Sequence, residues 1–141
     1  MNKWNIDSEV IHKTSVDPQS SGAATVNGTV IDRTGYMSMV GHGRVGAVSG
    51  SPSTTSVAFK VQHGAKSDGT DMADFTDEQG NGPTIGTVTE ATTGVKQGFN
   101  LRGAKQYIRI VATVSFTGGT SPAALIYANA LLGGVVEAPA A

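Results

Sequence analysis

Cysteine is absent from this chain of 141 residues, which removes disulfide frameworks, thiolate nucleophiles and cysteine-ligated zinc or iron–sulfur centres together. Stability must come from packing or assembly. Leucine is scarce, with four residues against 15 valines and seven isoleucines, a balance that argues against a helical bundle. An excess of either charge is also missing. Ten basic and 11 acidic residues leave a net charge of -1, so no global electrostatic term would hold the chain on nucleic acid or an anionic membrane, and neither is an expected partner. No stretch approaches the roughly 18 consecutive apolar residues of a membrane-spanning helix. The opening Met1-Asn2-Lys3-Trp4-Asn5-Ile6-Asp7 carries no apolar signal core, so the expectation is a soluble protein that stays in the cytoplasm or is built into an assembly there. What the chain has in quantity is glycine, threonine and serine, at 19, 16 and 12 residues, in a length that suits one domain.

Period-two alternation is the dominant pattern. Over residues 106–116 it puts Ile108, Ile110, Ala112, Val114 and Phe116 on one face and Arg109, Thr113 and Ser115 on the other. Residues 56–63 repeat it, with Val57, Phe59 and Val61 inward. Further strands are expected at 25–31, 36–48, 85–89, 95–101 and 124–132, each bounded by Gly, Pro, Asn or Asp turn residues. The last is rich in Ala and Leu and could be helical, but its Gly-rich flanks and its place beside the strongest strand favour a strand. Strands with one apolar face need a second sheet to cover them, so the predicted fold is an all-β, single-domain β-sandwich of the jelly-roll kind. Residues 1–24 read either as an extended N-terminal arm or as a first strand, followed by a turn or linker at Asp17-Pro18-Gln19-Ser20-Ser21-Gly22. The sandwich is expected over 25–136 and a flexible tail over 137–141.

No constellation of residues points to catalysis. The acidic stretch from Asp68 through Asp71 and Asp74 to Asp77 has carboxylates at every third position, whereas a calcium loop wants alternate oxygens, so it reads as an Asp-Gly turn and a solvated loop. His12, His42 and His63 are far apart and form no local ligand pair. Gly41-His42-Gly43-Arg44-Val45-Gly46 has its third glycine one residue too early for a dinucleotide fingerprint, and reads as a strand where another backbone comes close. No nucleophile elbow is present, and the chain is expected to be neither an enzyme nor a carrier of a metal or cofactor. Tyr107, Arg109 and Tyr127, if they share an outer face, would suit a carbohydrate platform, which makes a virion module for host surface glycans the alternative function.

Four stretches taken in order resemble a family of small tailed-bacteriophage proteins, the head decoration (cement) or minor capsid proteins. They are Ile31-Asp32-Arg33-Thr34-Gly35-Tyr36; Phe59-Lys60-Val61-Gln62-His63 with Ser67-Asp68-Gly69-Thr70 and Asp74-Phe75; Gly103-Ala104-Lys105-Gln106-Tyr107-Ile108-Arg109-Ile110-Val111; and Ala130-Leu131-Leu132-Gly133-Gly134. Lys105-Gln106 stands where relatives usually carry two basic residues, and the basic end common among them is missing here. The resemblance implies a β-sandwich that stabilises a capsid from outside, with the major capsid protein as partner and the virion surface as location. Apolar residues near the C-terminus, Leu125, Leu131, Val135 and Val136, exceed what one inward face needs and join the resemblance in suggesting a homotrimer. The expected contact residues are Trp4, Ile6 and Val10 on the arm, with Leu131, Val135 and Val136. In that reading the arm packs on a neighbouring subunit or the capsid floor.

Overall fold

The computed structural model describes residues 10–135. Trp4, Ile6, Val136 and the expected tail lie outside them. Ten antiparallel strands form two sheets, and no helix occurs among the described residues: β1 (Ile11–Ser21), β2 (Ala24–Asn27), β3 (Ile31–Asp32), β4 (Tyr36–Ser49), β5 (Thr54–Gly64), β6 (Ala73–Asp74), β7 (Thr84–Val88), β8 (Thr93–Asn100), β9 (Tyr107–Thr117) and β10 (Ala123–Val135). One sheet has the order β1-β10-β4-β8. The other runs β2-β9-β5-β6, with β3 also on β9 and β7 also on β5. If β2 with β3 and β6 with β7 are each counted as one broken strand, this is the two-sheet order of a jelly roll, as the alternation predicts.

The two inner faces are unequal, and each explains the other. The β9–β5 sheet contributes large side chains, Phe59, Val61, Ile108 and Ile110, all essentially inaccessible to water. Opposite them the β10–β4 sheet offers Ala124, Ala128, Ala130, Gly41 and Gly43 beside Met39, Val45, Ile126 and Leu132. Large residues facing small ones let the layers interdigitate at interior density. At Gly43 a Cβ would fall 2.4 Å from the Phe59 ring, and at Gly41 one would fall 2.8 Å from Ile85 Cδ1. Gly41 and Gly43 therefore make room for side chains of the facing sheet, not for another backbone.

Three expectations change. Asp17 to Ser21 are not a linker: β1 pairs with β10 from Ile11↔Leu132 to Ser21↔Ala124, with register shifts at Thr14/Val16 and Val16/Gln19. Pro18 fits there because β1 is an edge strand and the second shift leaves Asp17 and Pro18 outside the ladder. Residues 25–31 are not one strand but two, interrupted where Gly28 N donates to Ile110 O (2.9 Å) and the buried Ser15 hydroxyl accepts from Ile110 N (2.9 Å) and donates to Thr29 O (3.0 Å). Ser15 thereby ties β1 of one sheet to β9 of the other. Finally, β10 lies not beside β9 but in the opposite sheet, between β1 and β4.

Candidate interaction face

The outward side chains of the β1-β10-β4-β8 sheet follow from its register. One cross-strand row is His12–Leu131–Val40–Gly98, and the next toward the middle is Thr14–Asn129–His42–Lys96. Then come Tyr127–Arg44–Gly94 and, at the far end, Ser20–Leu125. The exposed large hydrophobic residues of the described chain are Leu125 (49 %), Val40 (37 %) and Leu131 (37 %), and all three stand on this face. Val40 and Leu131 are cross-strand neighbours, whereas Leu125 lies beyond two intervening rows, so the face carries two separate apolar patches.

Two shallow grooves run over the face, separated by the polar row. One, of about 240 Å³, is lined by Pro18, Gln19, Arg44, Leu125 and Tyr127, among others. The His42 ring meets Tyr127 edge-on at 5.9 Å and holds the phenol at the groove's border. The other, of about 330 Å³, lies among Val10, Val40, Gly98, Leu131 and Gly133. Val10 and Leu131 thus line the same groove. Val135 pairs with Tyr36 through the backbone at the end of β10. Val40 is the exposed hydrophobic residue of this face that sequence reasoning missed. Its signal is visible in retrospect, since β4 keeps Met39, Gly41, Gly43 and Val45 inward and Val40 is the apolar residue in the opposite, outward phase.

The outer face of the other sheet is different in kind. Arg109 Nε donates to Gln62 Oε1 (2.9 Å), Gln62 Nε2 donates to Asp74 Oδ1 (3.1 Å), and Lys60 pairs with Asp74 at 2.9 Å. This network satisfies itself. Tyr107 and Arg109 belong to β9 and Tyr127 to β10, so the three residues of the expected carbohydrate platform lie on opposite outer faces and do not assemble.

Neither the histidines nor the carboxylates converge. His12 is exposed on β1, His42 stands beside Tyr127, and His63 packs its ring on Phe75 (5.0 Å) while its Nδ1 accepts from Lys105 N. Burial, with Lys105 and Arg33 nearby, holds the His63 pKa below its ordinary value. Each aspartate of the acidic stretch serves its own donors. Asp68 caps Thr70, Asp71 accepts from Ala65 N and Lys66 N, and Asp74 takes Lys60 and Gln62. Asp77 is buried and accepts from Gln79 N, Asn81 N and Nδ2, and Asn100 N, which ties the loop before β7 to the end of β8.

The Asn100 amide, the largest influence, holds the Asp77 pKa below the ordinary 3.8 despite the opposing effect of burial. A depressed carboxylate contributes stability that is fully present above its unfolded pKa and is lost as pH falls through the lower folded value. The expected result is that Asp77→Asn lowers Tm at neutral pH and flattens the fall of Tm below about pH 4. A wild-type and variant pair with parallel Tm profiles from neutral to acid pH would show that Asp77 does not carry this linkage.

No family model matches the chain, and no curated protein matches it. Among solved structures it is similar in fold to the SPBc2 prophage-derived protein YomS, at 10 % identity and a TM-score of 0.45, covering 88 % of this chain and 92 % of that one. It is also similar to part of a chain from the T13 infectious bursal disease virus particle, at 15 % identity and a TM-score of 0.47, covering 87 % of this chain and 30 % of the other. A third likeness is to the CBM36-1 domain of a multidomain xylanase from the hindgut metagenome of Trinervitermes trinervoides, at 12 % identity and a TM-score of 0.39, covering 91 % and 99 %. The strand order of this chain by itself establishes an all-β sandwich of two antiparallel sheets.

Proposed function

We infer that this chain is a structural, non-catalytic virion protein that seats on the outside of a bacteriophage capsid through the outer face of the β1-β10-β4-β8 sheet. The observation that carries the reading is the gathering of Leu125, Val40 and Leu131 on that one face while the opposite face is occupied by its own polar network. The resemblance of the sequence landmarks to phage decoration proteins supports the same reading. Full burial of such side chains contributes about 1.5–3 kcal/mol each before ordering costs, so a single copy would hold weakly. Many copies bridging neighbouring capsomers would together stabilise the shell. The reading carries with it the major capsid protein as partner and a homotrimer at local threefold positions, and a map with single copies at hexamer centres would remove the trimer alone.

The test is binding to DNA-filled heads. The protein is expected to copurify with them at a copy number comparable to the major capsid protein. Leu125→Asp, at an exposed position, should raise the Kd for heads at least tenfold, the equivalent of about 1.4 kcal/mol, with Tm nearly unchanged. Thr113→Asp on the opposite sheet should decorate normally. Normal decoration by Leu125→Asp would remove this face from the contact. The second reading rests on Tyr127 flanked by Arg44 and Gln19 in the smaller groove. Saturable binding of the isolated protein to host surface polysaccharide, abolished in Tyr127→Ala, would put glycan recognition in place of cement.

A further inference from the structure

The polar rows between the two apolar patches carry the charge of this face. Arg44 and Lys96 stand exposed there on adjacent strands, and β8 sets Lys96 between two glycines of its own outward phase, Gly94 and Gly98. A Cβ at Gly98 would meet nothing within 4 Å, and one at Gly94 would lie 3.3 Å from His42 Nε2 and 3.5 Å from Arg44 Cγ. The backbone of β8 is thus bare on both sides of Lys96, open to an approaching surface at Gly98 and overlain by His42 and Arg44 at Gly94. Arg44 Nη2 donates to Thr92 O (3.1 Å), but a guanidinium has further donors, and neither it nor an ammonium accepts. Among the described residues no carboxylate answers these two cations. The ion pair found there joins Lys60 to Asp74 on the opposite sheet, and neither Asp17 on the far edge strand nor Glu90 in the turn before β8 pairs with them. The strands of this sheet carry Lys13, Arg44 and Lys96 against Asp17 alone, whereas those of the other carry Lys60 and Arg109 against Asp32 and Asp74. We propose that the surface this face takes is acidic: a protein partner that sets an aspartate or glutamate carboxylate against Arg44 and Lys96 while its apolar residues cover Leu125 on one side and Leu131 with Val40 on the other.

The inference rests on the docking of this face to a capsid and names the chemistry of the surface that receives it. Seating both apolar patches takes water from the rows between them. A cation stripped of water and left unpaired costs as much as the flanking side chains contribute, so a partner with no negative charge at that place would not seat. A carboxylate fits because its two oxygens accept the paired N–H groups of a guanidinium and leave lone pairs for an ammonium beside it. A phosphate backbone would satisfy the cations but would leave Leu125, Leu131 and Val40 uncovered, and the net charge of -1 opposes a polyanion.

The experiment measures the Kd of the full chain for DNA-filled heads. Lys96→Glu and Arg44→Glu, both at exposed positions, should each raise it about tenfold or more at low salt, and Lys96→Arg about twofold at most. Raising salt from about 50 to about 500 mM should weaken wild-type binding and narrow its lead over the two charge reversals. Circular dichroism and Tm of the variants should match wild type. Heads whose surface carboxylates have been converted to neutral amides with a carbodiimide and ethanolamine should lose wild-type binding, a result that depends on no variant. The inference is overturned, with capsid docking intact, if Leu125→Asp weakens binding while both charge reversals bind as wild type does, or if amidated heads bind as well as untreated ones. Wild-type binding to free DNA as tight as to heads, and lost in Lys96→Glu, would assign the cations to phosphate and overturn it as well. A wild-type chain that binds no heads at either salt would remove capsid docking and this inference with it.

Discussion

Gly43→Ala is expected to destabilise the protein by about 3 kcal/mol, the upper end of what overpacking a core costs. The added Cβ would lie 2.4, 2.5 and 2.7 Å from three atoms of the Phe59 ring, closer than real Cβ contacts come. The ring has no way to retreat, because Phe59 is 0 % exposed and sits between Val57 and Val61, which are equally buried. For a domain of this length the loss corresponds to a fall in Tm on the order of 10 °C. Gly43→Val, with two further methyl groups in the same place, should prevent folding. Gly98→Ala is the matched control, also a strand glycine but facing open space, and should stay within about 0.5 kcal/mol of wild type. Combining Gly43→Ala with Phe59→Leu should recover part of the loss, since the two positions share one volume and cannot act additively. Equal thermal stability of Gly43→Ala and Gly98→Ala would mean that Phe59 does not rest on the bare backbone of β4.

Ser15→Ala should have an effect of comparable size, about 2–6 kcal/mol, because it strands two buried backbone groups at once, at roughly 1–3 kcal/mol each. Ile110 N would lose its acceptor and Thr29 O its donor, at a point where the side chain is closed off from water. The seam is tight, since a Cβ on the adjacent Gly28 would lie 2.2 Å from Ser15 Oγ and 2.5 Å from Ile110 O. Amide hydrogen exchange is the direct readout. Ile110 should exchange slowly in wild type and much faster in Ser15→Ala, while amides in the middle of the β5–β9 ladder change only as global stability does. An Ile110 amide that remains fully protected in the variant would show that another group closes the seam between the sheets.

The strands most legible in the sequence are those whose neighbours impose one demand on them. β5 and β9 pair with each other over their whole length, Thr54↔Thr117 to Gly64↔Tyr107, so one face of each is core and the other polar. Alternation then states both the strand and its buried set, and Val57, Phe59, Val61, Ile108, Ile110 and Val114 are all buried. Elements under mixed demands are less legible. β1 contains Asp17-Pro18 and reads as a linker because a turn and an edge-strand bulge call for the same residues. β2 and β3 read as one strand because the break between them depends on Ser15, which arrives from a distant part of the chain.

The candidate face was legible only in pieces. Leu125 and Leu131 stand out in the sequence as apolar residues beyond the needs of one inward face and Val10 as part of an extended arm, whereas Val40 joins Leu131 only when the Leu131↔Val40 pairing puts it on the same side. Composition and period-two alternation by themselves determined an all-β chain, the inward residues of its long strands and the need for a second sheet, because those follow from local geometry and the removal of apolar area from water. The assignment of β10 to the sheet opposite β9, the separation of Tyr107 and Arg109 from Tyr127, and the gathering of the exposed hydrophobics were decided by the tertiary structure alone. Alternation specifies which residues of a strand share a face; which strand lies alongside, and therefore which faces become continuous, is set by how two complete sheets fit large side chains against small ones.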